Sequence, residues 1–251
     1  MPDLAALSEP LIVFAGALLA GFVTGFAGFG TGLIVAGFWF FVLPPQVVPP
    51  LIVVCSVAAQ VVGHARLSGT LGWRRAMPLI SGGVVGVPAG VALLALAPSD
   101  YLPLTVGVFL VGYSLVQLLR PQRLVPGPHG HGFRDRLAGF FGGLLGGYAG
   151  LSAPVPIVWL QLRGLPGDEQ RARYQPFNLV ILSLAFVVML ASGRIDGEVA
   201  SHALVAVPAV AAGAFVGVRA YLGISEASFR RIVTLLLLAS GCLLVGQRLA
   251  G

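Results

Sequence analysis

The 251-residue chain contains no lysine, only two cysteines, and so little charge that Asp, Glu and Arg together make up 10% of it. Cys55 and Cys242 both lie inside apolar segments, which excludes a disulfide framework and gives no metal-ligand spacing. No HExxH, P-loop, dinucleotide fingerprint or paired-carboxylate motif occurs, so zinc hydrolysis, nucleotide hydrolysis and hydride transfer have no sequence basis. No cofactor and no metal is expected. The scarcity of charge, with 57% hydrophobic residues and a mean hydropathy of +0.94, excludes a water-soluble domain. The formal charge of +6 comes from fifteen arginines scattered through short connectors, without a basic helix or an aromatic-interleaved patch. That distribution excludes nucleic acid as a partner and suits anchoring to lipid phosphates.

What the chain has is long apolar runs, at about 11–43, 47–64, 76–97, 101–119, 137–162, 175–193, 199–222 and 227–247. A spanning helix takes roughly 20 apolar residues, so these predict an all-α, polytopic transmembrane bundle of about eight segments. The first run would extend about 50 Å as one helix, well beyond a hydrocarbon core of roughly 30 Å. Its glycines at 21, 25, 28, 30 and 32 predict a break or re-entrant turn, and Pro154 and Pro156 predict the same in the fifth run. The first run follows Asp3 and Glu9 rather than a basic leader, so it is expected to be retained in a multi-pass bacterial inner-membrane protein.

A shift of 118 residues sets Gly21 to Leu33 on Gly139 to Leu151 with six identities in thirteen, four of them glycine. With small gaps the register continues: Ser68-Gly69 on Ser192-Gly193, Gly86 and Gly90 on Gly213 and Gly217, Ser99-Asp100 on Ser225-Glu226. The expected organisation is a first repeat unit at 1–119, a polar linker at 120–136 and a second unit at 137–251, each of four segments. The linker carries His129 and His131, which without further ligands read as solvated. Four crossings per unit give parallel units, whereas an extra crossing in each Gly-rich run gives inverted ones. On the eight-span count, nine arginines share the side of the termini and six lie opposite, a small excess that favours cytoplasmic termini.

Internal repeats with interrupted helices are a plan of secondary transporters, in which the substrate sits where the two breaks meet. A broken helix exposes N–H groups whose partial positive charge suits an anion, and glycine permits close approach. The candidate substrate-binding residues are Gly28, Gly30, Thr31, Gly32 and Gln60 in the first half, with Thr24 nearby, and Gly146, Tyr148, Gly150, Ser152 and Asn178 in the second. The structural alternative for the hydroxyls and amides is bonding to neighbouring helices, and for the glycines close helix packing, which is preferred for Gly86, Gly90, Gly213 and Gly217. His64, Arg66, Arg171 and Arg173 close or open spans and serve either as lipid anchors or as an entrance funnel for an anion. No acidic residue falls mid-span, which argues against a carboxylate proton relay. A second reading, an intramembrane serine hydrolase, takes Ser152 as nucleophile and His202 as base, with no third group identifiable.

The run Gly25-Phe26-Ala27-Gly28-Phe29-Gly30-Thr31-Gly32, its echo from Gly143 to Gly150, and the Trp73-Arg74-Arg75 connector together resemble the sulfite exporter TauE/SafE family of membrane permeases. The similarity covers nearly the whole chain in length, repeat layout and segment order. It implies a permease, not an enzyme, that moves small sulfur-containing anions such as sulfite or organosulfonates, often outward, by alternating access.

Overall fold

Inside lipid every backbone N–H and C=O must find a partner within the protein, and a chain without paired strands meets that demand with helices. A computed structural model describes residues 4–64, 72–119, 132–220 and 226–250, with side chains for 9–63, 72–119, 132–220 and 233–246. Among them are ten α-helices: α1 (Leu4–Ala27), α2 (Thr31–Trp39), α3 (Val48–His64), α4 (Trp73–Leu96), α5 (Leu102–Leu119), α6 (Gly132–Ala149), α7 (Pro154–Leu162), α8 (Gly167–Ala191), α9 (Gly197–Ala220) and α10 (Glu226–Ala250). The bundle is all-helical, and five of its helical segments are long and apolar enough to cross a membrane.

Each overlong run turns back on itself. After the break at Gly28 to Gly30, α2 descends along α1, so that a Cβ at Gly16 would lie 3.1 Å from Trp39 Nε1. The hydroxyls of Thr24 and Thr31 close the top of this hairpin at 2.7 Å. In the second half, α6 ends in a left-handed glycine cap: Gly150 has φ +72°, its N–H bonds Gly146 O at 3.0 Å, and Leu151 N–H bonds Leu145 O at 3.1 Å. Pro154 then opens α7, since its missing N–H costs nothing in a first turn. At the base of this hairpin Asp135 of α6 accepts from Trp159 Nε1 at 2.6 Å and from Arg163 Nη1 at 2.8 and 3.0 Å. α6 therefore begins five residues inside the expected linker, and Asp135 is a buried half of an ion pair rather than a solvated connector residue.

The small residues make two long seams. On α4 and α6, Gly82, Gly86 and Gly90 face the carbonyls of Arg136, Phe140 and Leu144, while Gly139, Gly143 and Gly147 face those of Leu79, Gly83 and Val87. On α1 and α9, Gly21 and Gly25 face Val210 and Ala214, and Gly213 and Gly217 face Leu18 and Phe22. At these positions an added Cβ would overlap the neighbouring backbone, so glycine sets the helix separation, as in other small-residue membrane interfaces. The seams are exchanged: the first helix of each half packs on the helix matched to α4 or α9 in the other half.

These contacts also fix direction. Residue numbers rise together across α1 and α9, and across α4 and α6, so both pairs are parallel. Across α5 and α10 they run oppositely: Gly107 meets Leu244 and Val245, whereas Gly241 meets Leu110 and Val111. Helices matched by the internal repeat thus run antiparallel, and the arrangement is inverted. The physical reason is that each Gly-rich run adds a reversal, giving each half five segments instead of four. The arginine count changes accordingly. Following chain direction, Arg194 and Arg248 lie on the face of the termini, and the other ten arginines among the described residues lie on the opposite face. This overturns the nine-to-six distribution expected from straight spans.

Candidate functional site

The two hairpin tips meet. A Cβ at Gly32 would lie 2.9 Å from Gly150 O and 2.9 Å from Leu151 Cδ2. Around this contact is a cavity of about 20 Å³ lined by Gly30, Thr31 and Gly32 from the first tip, Gly150, Ser152 and Pro154 from the second, Ser56 and Gln60 from α3, and Asn178 from α8. That volume holds about one water, so anything larger enters only when the tips separate.

The electrostatics of the tips follow from which helix ends are capped. α1 points its carbonyl end at the site, and that end is neutralised: Arg171 Nη2 donates to Phe26 O at 3.2 Å, Tyr174 OH to Ala27 O at 2.7 Å and Gln60 Nε2 to Gly28 O at 3.3 Å. At the end of α6 the glycine cap covers Leu145 O and Gly146 O. The N-termini of α2 and α7 have no side-chain caps. Acceptor ends are therefore covered and donor ends are left toward the cavity, a polarity that favours an anion. The two donor ends differ, because Pro154 and Pro156 leave Val155 as the only N–H among the first three residues of α7. Ser152 Oγ donates to Asn178 Oδ1 at 3.0 Å, which turns the Asn178 Nδ2 donors to the remaining space.

A second space of about 250 Å³ adjoins the first tip and shares Phe29, Gly30 and Leu33 with the small cavity. Its walls are Phe26 and Tyr174, the amide pair Gln117–Gln161 (3.1 and 3.3 Å), and Asp168 and Arg171 at the start of α8. Because α8 begins on the arginine-rich face, this cleft runs from that face to the tips.

Of the residues singled out in the sequence, Gly30, Thr31, Gly32, Gln60, Gly150, Ser152 and Asn178 surround one cavity. Gly28 (φ +80°) and Gly146 lie behind it, where a Cβ would meet Gln175 and Ser152 respectively. Tyr148 is turned away, its hydroxyl bonded to Thr105 at 2.9 Å, because two residues before Gly150, about half a helical turn, it lies on the side of α5. Arg171 reaches the cleft, but Arg173 is buried in a 2.6 Å ion pair with Glu169. The His64 side chain and Arg66 lie outside the described residues. Ser56, Tyr174, Gln175 and the Gln117–Gln161 pair escaped sequence reasoning, since isolated polar residues in apolar runs carry no periodic signal.

The hydrolase reading fails on geometry. His202 faces Glu9 at 3.8 Å, near the start of α1, and eighteen residues of helix separate Glu9 from the tip at Ala27, about 27 Å. The Ser152 hydroxyl is given to an amide, which is no base.

The model of the family described as sulfite exporter TauE/SafE matches residues 13–244. The chain belongs to the sulfite exporter TauE/SafE family. Membership makes it a membrane transporter of sulfite-type anions, consistent with its apolar helices. No curated protein and no solved structure matches it.

Proposed function

We propose that this TauE/SafE chain exports small sulfur-containing oxyanions, sulfite or organosulfonates, from the cytoplasm across the inner membrane, binding them between the two hairpin tips. The observation that carries the reading is the pair of uncapped helix N-termini, α2 and α7, meeting at a cavity whose opposing carbonyl ends are already capped. Gly30, Thr31, Gly32, Gly150, Ser152 and Asn178 contact the anion, and Gly28, Gly146 and Gln60 hold the backbone that does so. By the positive-inside rule the arginine-rich face is cytoplasmic, so the cleft at Arg171 is the cytoplasmic approach. Alternating access follows if the proposed units, residues 1–119 and 137–251, rock to part the tips and close the cleft.

Proteoliposomes preloaded with labelled sulfite or a small sulfonate test this, with flux as the readout. Asn178→Leu and Ser152→Ala are each expected to lower flux about ten-fold or more, the worth of one hydrogen bond to a charged group, while the unfolding temperature falls by only a few degrees for the Ser152–Asn178 bond that each removes. No flux of any small sulfur oxyanion in the unaltered protein overturns the reading.

Orientation has its own test in a Cys242→Ser background. An impermeant maleimide added to intact cells is expected to label Ser99→Cys, on the face of the termini, and to reach Arg74→Cys only after permeabilisation. The reverse pattern places the cleft outside and makes the direction of transport inward.

A further inference from the structure

Between α5, α6 and α7 a groove of about 810 Å³ opens on the outside of the bundle. Phe109 and Gly112 of α5, Leu137 and Phe141 of α6, and Val158 and Leu162 of α7 form its walls, and Arg134 is the one charged residue among those lining it. The inverted repeat says what is unusual here. In the other half, the corresponding helices α2 and α10 pack directly, with Ser240 so close to Gly37 that a Cβ at Gly37 would overlap it. α5 and α7 are instead joined at the Gln117–Gln161 amide pair and leave the groove between them.

Three observations specify an occupant. The α7 wall runs from Leu162 to Pro154, about 13 Å of helix, close to the depth of one hydrocarbon leaflet at roughly 15 Å. Arg134 stands at the mouth of the groove in the first turn of α6, on the face that carries ten of the twelve arginines among the described residues, where a leaflet rich in anionic lipid attracts basic side chains. Arg134 is exposed and makes no ion pair among the described residues, because the adjacent Asp135 is taken by Arg163 and Trp159.

We propose that the groove is a binding site for an anionic phospholipid, one acyl chain lying between α5 and α7 and the phosphate on Arg134. The chain end reaches Pro154 and Val155, the first residues of α7 beyond the hairpin tip, so the lipid wedges α7 in a position that its counterpart α2 does not occupy.

Native mass spectrometry of protein purified from vesicles of phosphatidylcholine with phosphatidylglycerol tests the site. One phosphatidylglycerol is expected to survive delipidation on the unaltered chain, and Arg134→Gln is expected to retain it about five-fold more weakly, the worth of one basic residue at an anionic surface. Gly112→Phe provides an independent arm: a Cβ at Gly112 has nothing within 4 Å, so the ring enters the groove without displacing backbone. It is expected to lose the lipid while its unfolding temperature stays unchanged. Equal retention of phosphatidylcholine and phosphatidylglycerol, or retention undiminished in both variants, overturns the proposal. So does a dimer that Gly112→Phe dissociates, which would put a second copy in the groove.

Discussion

Gly143→Val is expected to lower the unfolding temperature of the purified protein by about 2–12 °C, or to prevent its accumulation as a monodisperse species, whereas Gly63→Ala leaves both unchanged or slightly improved. At Gly143 the added Cβ lands on the carbonyl and Cα of Gly83. Gly83 cannot retreat, because its other side is filled by Phe177 and Ile181 of α8, where a Cβ would already lie 2.6 to 2.9 Å from their side chains. The obstruction is backbone against backbone, so no rotamer relieves it, and α4 must move away from α6 along the whole seam. Overpacking of a fixed core costs about 1–3 kcal/mol or more, and about 2–4 °C is lost per kcal/mol in a chain of this size. Membrane helices have no hydrophobic drive to compensate, since lipid is as apolar as the interface they lose. At Gly63 nothing lies within 4 Å of the added atom, and alanine improves helix propensity by up to about 1 kcal/mol. Thermal unfolding in detergent, followed by intrinsic fluorescence of the three tryptophans, separates the two. Equal unfolding temperatures would mean that the seam is not what fixes the spacing of α4 and α6.

Much of this fold is visible in the sequence because glycine and hydropathy report directly on helices in lipid. The apolar runs announce the spans, and the overlong first run demands a break among the glycines from Gly21 to Gly32, of which Gly28 and Gly30 take positive φ while Gly21 and Gly25 stay inside α1. Gly86, Gly90, Gly213 and Gly217 pack against neighbouring backbone, as their place in unbroken helical stretches suggests. What hydropathy does not carry is the direction of the chain after the break. Residues 31–39 are equally apolar whether they continue through the bilayer or fold back along α1, and that one ambiguity, repeated in α7, converted five segments per half into four and scattered the arginines across both faces. The site was half legible for a related reason. Ser152 and Asn178 stand close to glycine or proline landmarks, but the groups that cap α1, Arg171 and Tyr174, come from 145 and 147 residues away and become partners only through the exchanged packing of the halves. Tyr148 belongs to the same helix as Gly146 and Gly150, yet helical rotation sends its hydroxyl to Thr105 instead of the cavity.

At the base of the second hairpin the side chains of Asp135 and Arg163 are 9% and 1% exposed. Asp135→Ala is expected to lower the unfolding temperature by about 6–20 °C, because a guanidinium left in a buried site without its carboxylate costs about 3–5 kcal/mol. The indole N–H of Trp159 loses the same acceptor, so the clasp between α6 and α7 opens at two points. Asp135→Asn keeps an acceptor oxygen but not the charge and is expected to fall between the two. Decisive is the double variant Asp135→Ala with Arg163→Met: burying two apolar groups in place of a matched pair is often neutral or better, so most of the lost stability returns. Flux tells whether the clasp does more than hold the fold. The hairpin tip carrying Gly150 and Ser152 lies at the far end of α7, nine residues from the clasp, so a rigid α7 transmits any loosening at Arg163 to the anion site. Recovery of both unfolding temperature and sulfite flux in the double variant means that any compact filling of this position suffices. If stability returns and flux does not, the fixed two-point geometry of the carboxylate and guanidinium is what keeps the second tip aligned with the first.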